Sequence, residues 1–259
     1  DESHVSAWEA AIQPNTKMFY LETPSNPLLT ITDLEAVTKI AKTHQLLVAC
    51  DNTFMTPLGQ ETLPLGIDIV IHSGTKFING HSDVIAGLIA TYDEALYQKL
   101  KKKKKALGGI LAVEEGWLLL RGVKTMGLRM EKSILNAQAM AEYLQQKPQI
   151  KQVYYPGLAT HRGYETHQKQ AKNGGAVLSF ELVSEEHVHQ LFENCQLPIV
   201  AVSLGGVESI LSLPWCMSHA SMPEEERLKM GVTPTLVRLS CGIEDIEDLI
   251  ADFEQALQS

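Results

Sequence analysis

The chain has 259 residues, 44% hydrophobic and 20% charged, and carries a net charge of -9 from 22 basic and 31 acidic side chains. This length suits one large domain or two ordinary ones, and the composition is that of a folded globular chain. An acidic surface has no general attraction for nucleic acid or anionic lipid, and no apolar run approaches the ~20 residues that span a bilayer, so neither a nucleic-acid nor a membrane partner is expected.

The sequence begins at Asp1 and enters a helical pattern, Ser6 to Ile12, almost at once. A domain seldom begins with a strand-feeding helix and nothing before it, so an N-terminal segment is expected to be missing. Met18 to Leu21 reads as a strand. Asp33 to Lys42 has the three-four apolar spacing of an amphipathic helix. Leu46 to Cys50, Asp68 to His72 and Val84 to Ala90 read as further strands. Continuous apolar strands separated by helical patterns predict a mostly parallel sheet flanked by helices, an α/β fold whose ligands bind beyond the carboxyl ends of the strands. A long helix is predicted from about Val113 to Gln146, joining a first domain, 1–120, to a second, 121–259. The second part alternates differently. Lys151 to Tyr155, Ala176 to Leu182, Pro198 to Val202 and Leu236 to Ser240 read as strands. Glu185 to Asn194, Pro223 to Met230 and Ile246 to Leu257 read as helices. This predicts a smaller α+β C-terminal domain. The five lysines Lys101 to Lys105 read as a solvated helical turn, because aromatics do not interleave them. The four cysteines have no Cys-x-x-Cys spacing, which predicts free thiols in a reducing cytoplasm and no metal site.

The stretch Asp68 to Ser82 carries most of the chemistry. An apolar run ends in Ser73-Gly74-Thr75-Lys76. Lysine can form an imine with an aldehyde cofactor, and flanking hydroxyls can hold that cofactor's phosphate. The alternative for Lys76 is a surface lysine after a strand. Asp51 ends the preceding strand, where a buried carboxylate needs a cationic or donor partner such as a protonated pyridine nitrogen. It is otherwise a helix N-cap. Asn26 lies in Glu22-Thr-Pro-Ser-Asn-Pro27, a non-helical loop fixed by two prolines, either as a structural turn residue or within reach of a cofactor oxygen. Arg238 interrupts the apolar strand Leu236 to Ser240. Its guanidinium suits a substrate carboxylate, or else a structural salt bridge. Ser203, in the turn Ser203-Leu-Gly-Gly206, stands ready to help hold the same carboxylate.

Asp68 to Ser82 resembles the cofactor-attachment signature of the Cys/Met-metabolism enzymes that use pyridoxal phosphate: cystathionine β-lyase, cystathionine γ-lyase, cystathionine γ-synthase and methionine γ-lyase. Glu22 to Pro27, Asp51 to Thr53, Arg121 to Thr125, Arg129-Met130, Tyr155 to Leu158, Ser203 to Gly206, Met217 to Ala220 and Arg238 to Ser240 resemble further blocks of that family, in its order. The resemblance implies a fold-type I pyridoxal 5'-phosphate enzyme, with Lys76 carrying the Schiff base and Asp51 facing the pyridine nitrogen. It places Ser73 and Thr75 on the phosphate, Asn26 near the phenol oxygen, and Arg238 and Ser203 on the carboxylate of a small amino-acid substrate. It also implies a homotetramer built as a dimer of dimers, in which the missing N-terminal segment is either part of the same chain or a separate fragment of the same protein. Val202 stands where several cystathionine γ-enzymes have Glu. That favours a C–S lyase, first cystathionine β-lyase, with cystathionine γ-lyase or methionine γ-lyase as alternatives. A γ-synthase, or an inactive truncated fragment, is the alternative of another class.

Overall fold

The computed structural model describes residues 1–258. Helix α1 (Val5–Ala10) leads to strand β1 (Met18–Glu22), and α2 (Leu34–Thr43) to β2 (Leu47–Asp51). Asp33 caps α2 by accepting from the Ala36 amide at 2.9 Å. Leu34, Val37 and Ala41 form its buried stripe against Phe19, Leu21, Val48, Cys50 and Val70. After the short α3 (Thr56–Gly59) come β3 (Ile69–Ser73), a single π-turn over Gly74–Ile78, and β4 (Gly87–Ala90).

These strands form a sheet of order β1-β2-β3-β4. The first three are parallel, so their carboxyl ends, Glu22, Asp51 and Ser73, share one edge. β4 runs antiparallel to β3.

Helix α4 (Glu94–Leu107) buries none of its residues and carries Lys101 to Lys105. Helix α5 (Val113–Leu144) runs for 32 residues and serves both halves of the molecule. Near its middle, Arg129 touches the π-turn. Farther on, Asn136 Nδ2 donates to the carbonyls of Gly242 at 3.0 Å and Glu244 at 2.9 Å.

The second sheet follows, with β5 (Ile150–Tyr154), α6 (Tyr164–Gln170), β6 (Val177–Leu182), α7 (Glu185–Asn194), β7 (Ile199–Val200), β8 (Ile210–Ser212), α8 (Glu224–Lys229), β9 (Leu236–Ser240) and α9 (Ile246–Gln258). Its order is β5-β6-β9-β8-β7, antiparallel except for β7 with β8. Central strands β6 and β9 are buried along their whole length. Their apolar side chains pack against Met140, Leu144, Leu191, Leu249 and Phe253 of the covering helices.

A third cluster, Leu29, Phe54, Phe77, Met130, Ala176, Val177 and Leu204, joins the two sheets. No helix among the described residues is long and apolar enough to cross a membrane. All four cysteines are free; Cys50 and Cys241 are buried, Cys195 is half-buried and Cys216 is exposed.

Candidate active site

The carboxyl edge of the first sheet meets the loops of the second above the joining cluster. Asp51 ends β2. Its Oδ1 accepts from the Thr53 amide at 2.9 Å and the Thr53 hydroxyl at 2.5 Å. The same Thr53 Oγ1 accepts from the Ser73 amide at 2.8 Å, so Asp51 and Ser73 are tied through one hydroxyl. This is a local turn contact and not a helix cap, since Met55 occupies the N-cap position of α3.

The π-turn after Ser73 presents Lys76, which departs from helical geometry at φ -87, ψ -136. Such single π-turns often mark functional positions. Three features hold it. Thr75 Oγ1 accepts from the Ala86 amide at 3.0 Å. Arg129 donates to the carbonyls of Phe77 at 2.8 Å, Ile78 at 3.2 Å and Gly122 at 2.8 Å. Gly205, at φ +79, lies so close that a Cβ there would sit 2.6 Å from the Phe77 nitrogen.

Lys76 Nζ donates to Ser203 Oγ at 2.8 Å. Burial, and secondarily the charge of Arg238, lower its pKa from the ordinary lysine value. Both effects favour the neutral amine, the nucleophilic and basic form.

Arg238 is 2% exposed. Its Nη1 donates to Asn26 Oδ1 at 2.8 Å, and its Nη2 donates to the Ser203 carbonyl at 2.9 Å and to Ser212 Oγ at 3.2 Å. Its buried Nε has no hydrogen-bond partner in the protein. Among the described residues no carboxylate lies within ion-pair distance of it. The structural salt bridge that the sequence left open is therefore not formed. Burial lowers the guanidinium pKa to about 10, with the charge of Glu22 opposing. A buried cation with an unsatisfied donor is a receptor for an anion.

Sequence reasoning placed Lys76, Ser203, Arg238 and Asn26 separately, and the structure joins these four by direct contacts. Asp51 and Ser73 lie together at the adjacent sheet edge, and Thr75 sits one residue before Lys76 in the turn that links that edge to it. Three nearby residues were given no part by the sequence. Ser212 shares the Arg238 guanidinium. His219 is lowered from its ordinary value by burial and by Arg238. Glu22, register partner of Asp51, is pushed up to about 7, first by burial and then, against a backbone hydrogen bond from Asn26, by Asp51. Glu22 carried a signal like that of Asp51, a carboxylate just after an apolar strand run.

The family model of Cys/Met metabolism PLP-dependent enzymes matches residues 1–258. Cystathionine beta-lyase MetC of Bacillus subtilis (strain 168) is 57% identical over 248 residues, which are 96% of this chain and 64% of the relative. Cystathionine gamma-lyase of the same organism is 47% identical over 259 residues, covering 100% of this chain and 68% of the relative. The crystal structure of cystathionine gamma-lyase from Lactobacillus plantarum complexed with L-serine matches at TM-score 0.98 and 43% identity, over 100% of this chain and 68% of that one. The chain thus spans about two thirds of the length of the proteins it resembles. The donor set fits a phosphorylated aldehyde cofactor. A fixed carboxylate and a serine hydroxyl lie at one sheet edge, and the turn that leaves it carries a threonine hydroxyl and a half-buried amine with depressed basicity.

Proposed function

This chain belongs to the Cys/Met metabolism PLP-dependent enzyme family, and from that premise we propose that it forms the lysine-bearing part of a carbon–sulfur lyase. The preferred substrate is cystathionine, cleaved at the β-carbon to homocysteine, pyruvate and ammonia. Pyridoxal 5'-phosphate, when bound, supplies an electron-withdrawing ring that stabilises charge left at the substrate's α-carbon. Lys76 would hold its aldehyde carbon and Asp51 its ring nitrogen, with Ser73 and Thr75 on the phosphate. Asn26 would use Nδ2 on the ring oxygen, because its Oδ1 already serves Arg238.

Arg238 binds the substrate α-carboxylate and so fixes where the α-carbon stands. Ser203 accepts from Lys76 through its hydroxyl and from Arg238 through its carbonyl, so one residue orients both the base and the anchor. Lys76, once the substrate amine has displaced it from the aldehyde carbon, would remove the α-proton and give a proton to the departing sulfur, and its burial and the charge of Arg238 favour the neutral form that this needs. The single observation that carries the proposal is that contact: the Lys76 amine lies 2.8 Å from Ser203, whose carbonyl holds a guanidinium with no anion of its own.

Val202 is 65% exposed beside Ser203. An apolar side chain there favours, as a second reading, a γ-lyase acting on a substrate with an apolar tail such as methionine. The working form is proposed to be a cytoplasmic homotetramer, with the remainder of the sequence present in one chain or as a companion fragment.

The test is Lys76→Ala in the intact cofactor-loaded protein. The visible absorbance of lysine-bound cofactor is expected to vanish and lyase turnover to fall by about 10³-fold or more. Retention of that band would move the attachment to another lysine. Product analysis with cystathionine, methionine, and a homoserine ester plus cysteine separates the three activities.

A further inference from the structure

Glu22 heads the line of contacts that reaches Lys76, and the proposed chemistry leaves it without a task. Its Oε2 accepts from the Asn26 amide at 3.3 Å, and Asn26 Oδ1 in turn accepts from Arg238 Nη1 at 2.8 Å. The charged and titratable groups facing it come from every side. Asp51 and Cys50 face it from β2, Tyr20 from its own strand, Glu2 from the N-terminal turn and Arg238 from β9. Beyond Arg238 stand Lys76 and His219.

We propose that Glu22 is a positioning residue that couples capture of the substrate carboxylate to uptake of one proton. Glu22 is the carboxylate whose charge the Arg238 guanidinium feels, although the two make no ion pair. A carboxylate arriving at Arg238 brings another anion into a partly buried space that already contains Glu22 and Asp51. Repulsion between like charges at low dielectric is relieved if Glu22 takes a proton. Its ordinary carboxylate behaviour is already displaced by burial and Asp51, to about 7, so that proton is available near neutrality. The protonated acid keeps a carbonyl oxygen for the Asn26 amide. Asn26 therefore stays in place, and Arg238 stays oriented. Linkage makes the effect reciprocal: the ligand raises the proton affinity of Glu22, and rising pH weakens the ligand.

The proposal rests on Arg238 being the carboxylate receptor, and the experiment separates the two. The probe is 4-(methylthio)butanoate, which has a carboxylate and an apolar tail but no amine. Binding to the intact holoenzyme is measured by calorimetry in two buffers of different ionisation heat. Wild type is expected to take up a fraction of a proton at about pH 7, and its Kd to rise about fivefold from about pH 6 to about pH 8. Glu22→Gln keeps the amide contact and is expected to bind tightly with no pH dependence and no uptake. Arg238→Lys is expected to weaken the probe about tenfold or more at every pH. Unchanged binding in Arg238→Lys would overturn both readings. Weakened binding in Arg238→Lys, with no proton uptake in wild type, overturns the role of Glu22 alone. So does a pH dependence that survives in Glu22→Gln, which would put the titration on another group such as His219. If Glu22→Gln does not fold, Glu22→Asp carries the comparison. Its carboxyl lies one methylene farther from the Asn26 amide, so the midpoint of the pH dependence should move, and an unmoved midpoint overturns the proposal.

Discussion

Two carboxylates at the ends of neighbouring strands set the electrostatics of this site, and they are unequal. Asp51 is held by two donors from Thr53, whereas Glu22 accepts one long bond from Asn26 and is pushed up to about 7. An acid raised on folding keeps a proton that the unfolded chain has released. Between its ordinary value of 4.5 and about 7 the native state binds more protons, so stability falls as pH rises through that window. Above it the loss is complete. Glu22→Gln removes the titration, so the variant should exceed wild type by about 1–2 kcal/mol at about pH 8 and match it near pH 4. Urea unfolding at both pH values checks this, and an equal difference at each would mean that Glu22 does not titrate in this range. Lys76, Asp51 and Arg238 were legible in the sequence because each breaks or ends an apolar run. The unpaired state of Arg238 was not, because it depends on which acids the fold brings near. The same holds for Ser212, more than twenty residues away in sequence, which supplies one of its acceptors.

At the level of elements, the position of Lys76 depends on a turn held from two sides. Arg129 of α5 binds its carbonyls, and Gly205 closes over its backbone. A side chain at Gly205 meets both a left-handed φ of +79 and the Phe77 nitrogen at 2.6 Å, and the obstacle is backbone rather than the end of a flexible side chain. Gly205→Ala is therefore expected to lower stability by about 1–3 kcal/mol or more. It should also lower the cofactor content of purified protein, since the shift falls on the Lys76 backbone and on the loop carrying Ser203. Thermal unfolding together with cofactor absorbance measures both; a variant with normal content and stability would show that the turn tolerates displacement. Long elements with a clear apolar stripe, α2, α5 and α9, follow their sequence patterns closely. The strand expected over Pro198 to Val202 shrinks to Ile199–Val200, because only these pair with β8. β8 itself, three residues before a proline, has too little sequence to show a period. Helix α4 buries nothing, so no stripe announces it.

For the whole molecule, the site exists only while two separately built sheets stay in register, since Lys76, Asp51 and Asn26 come from one side and Ser203 and Arg238 from the other. This juxtaposition was the least legible feature, because it is made by contacts between segments more than a hundred residues apart. Met130 is 1% exposed in the joining cluster and lies next in sequence to Arg129, which holds the Lys76 turn. Each sheet also has an apolar core of its own, that of the first around Val37 and Val70 and that of the second around Phe180 and Phe253. Loss of the joining contacts should therefore uncouple the sheets before it unfolds either. Met130→Ala is expected to cost about 2–4 kcal/mol, the range for truncating a buried long side chain. Its consequence should be uneven. Cofactor binding, which reports the junction, should be lost at lower denaturant than the far-ultraviolet signal of the two cores. In wild type the two transitions should coincide. If they still coincide in Met130→Ala, shifted together to lower denaturant, then the joining cluster is part of one continuous core, and the separation of the molecule into two folding units is wrong.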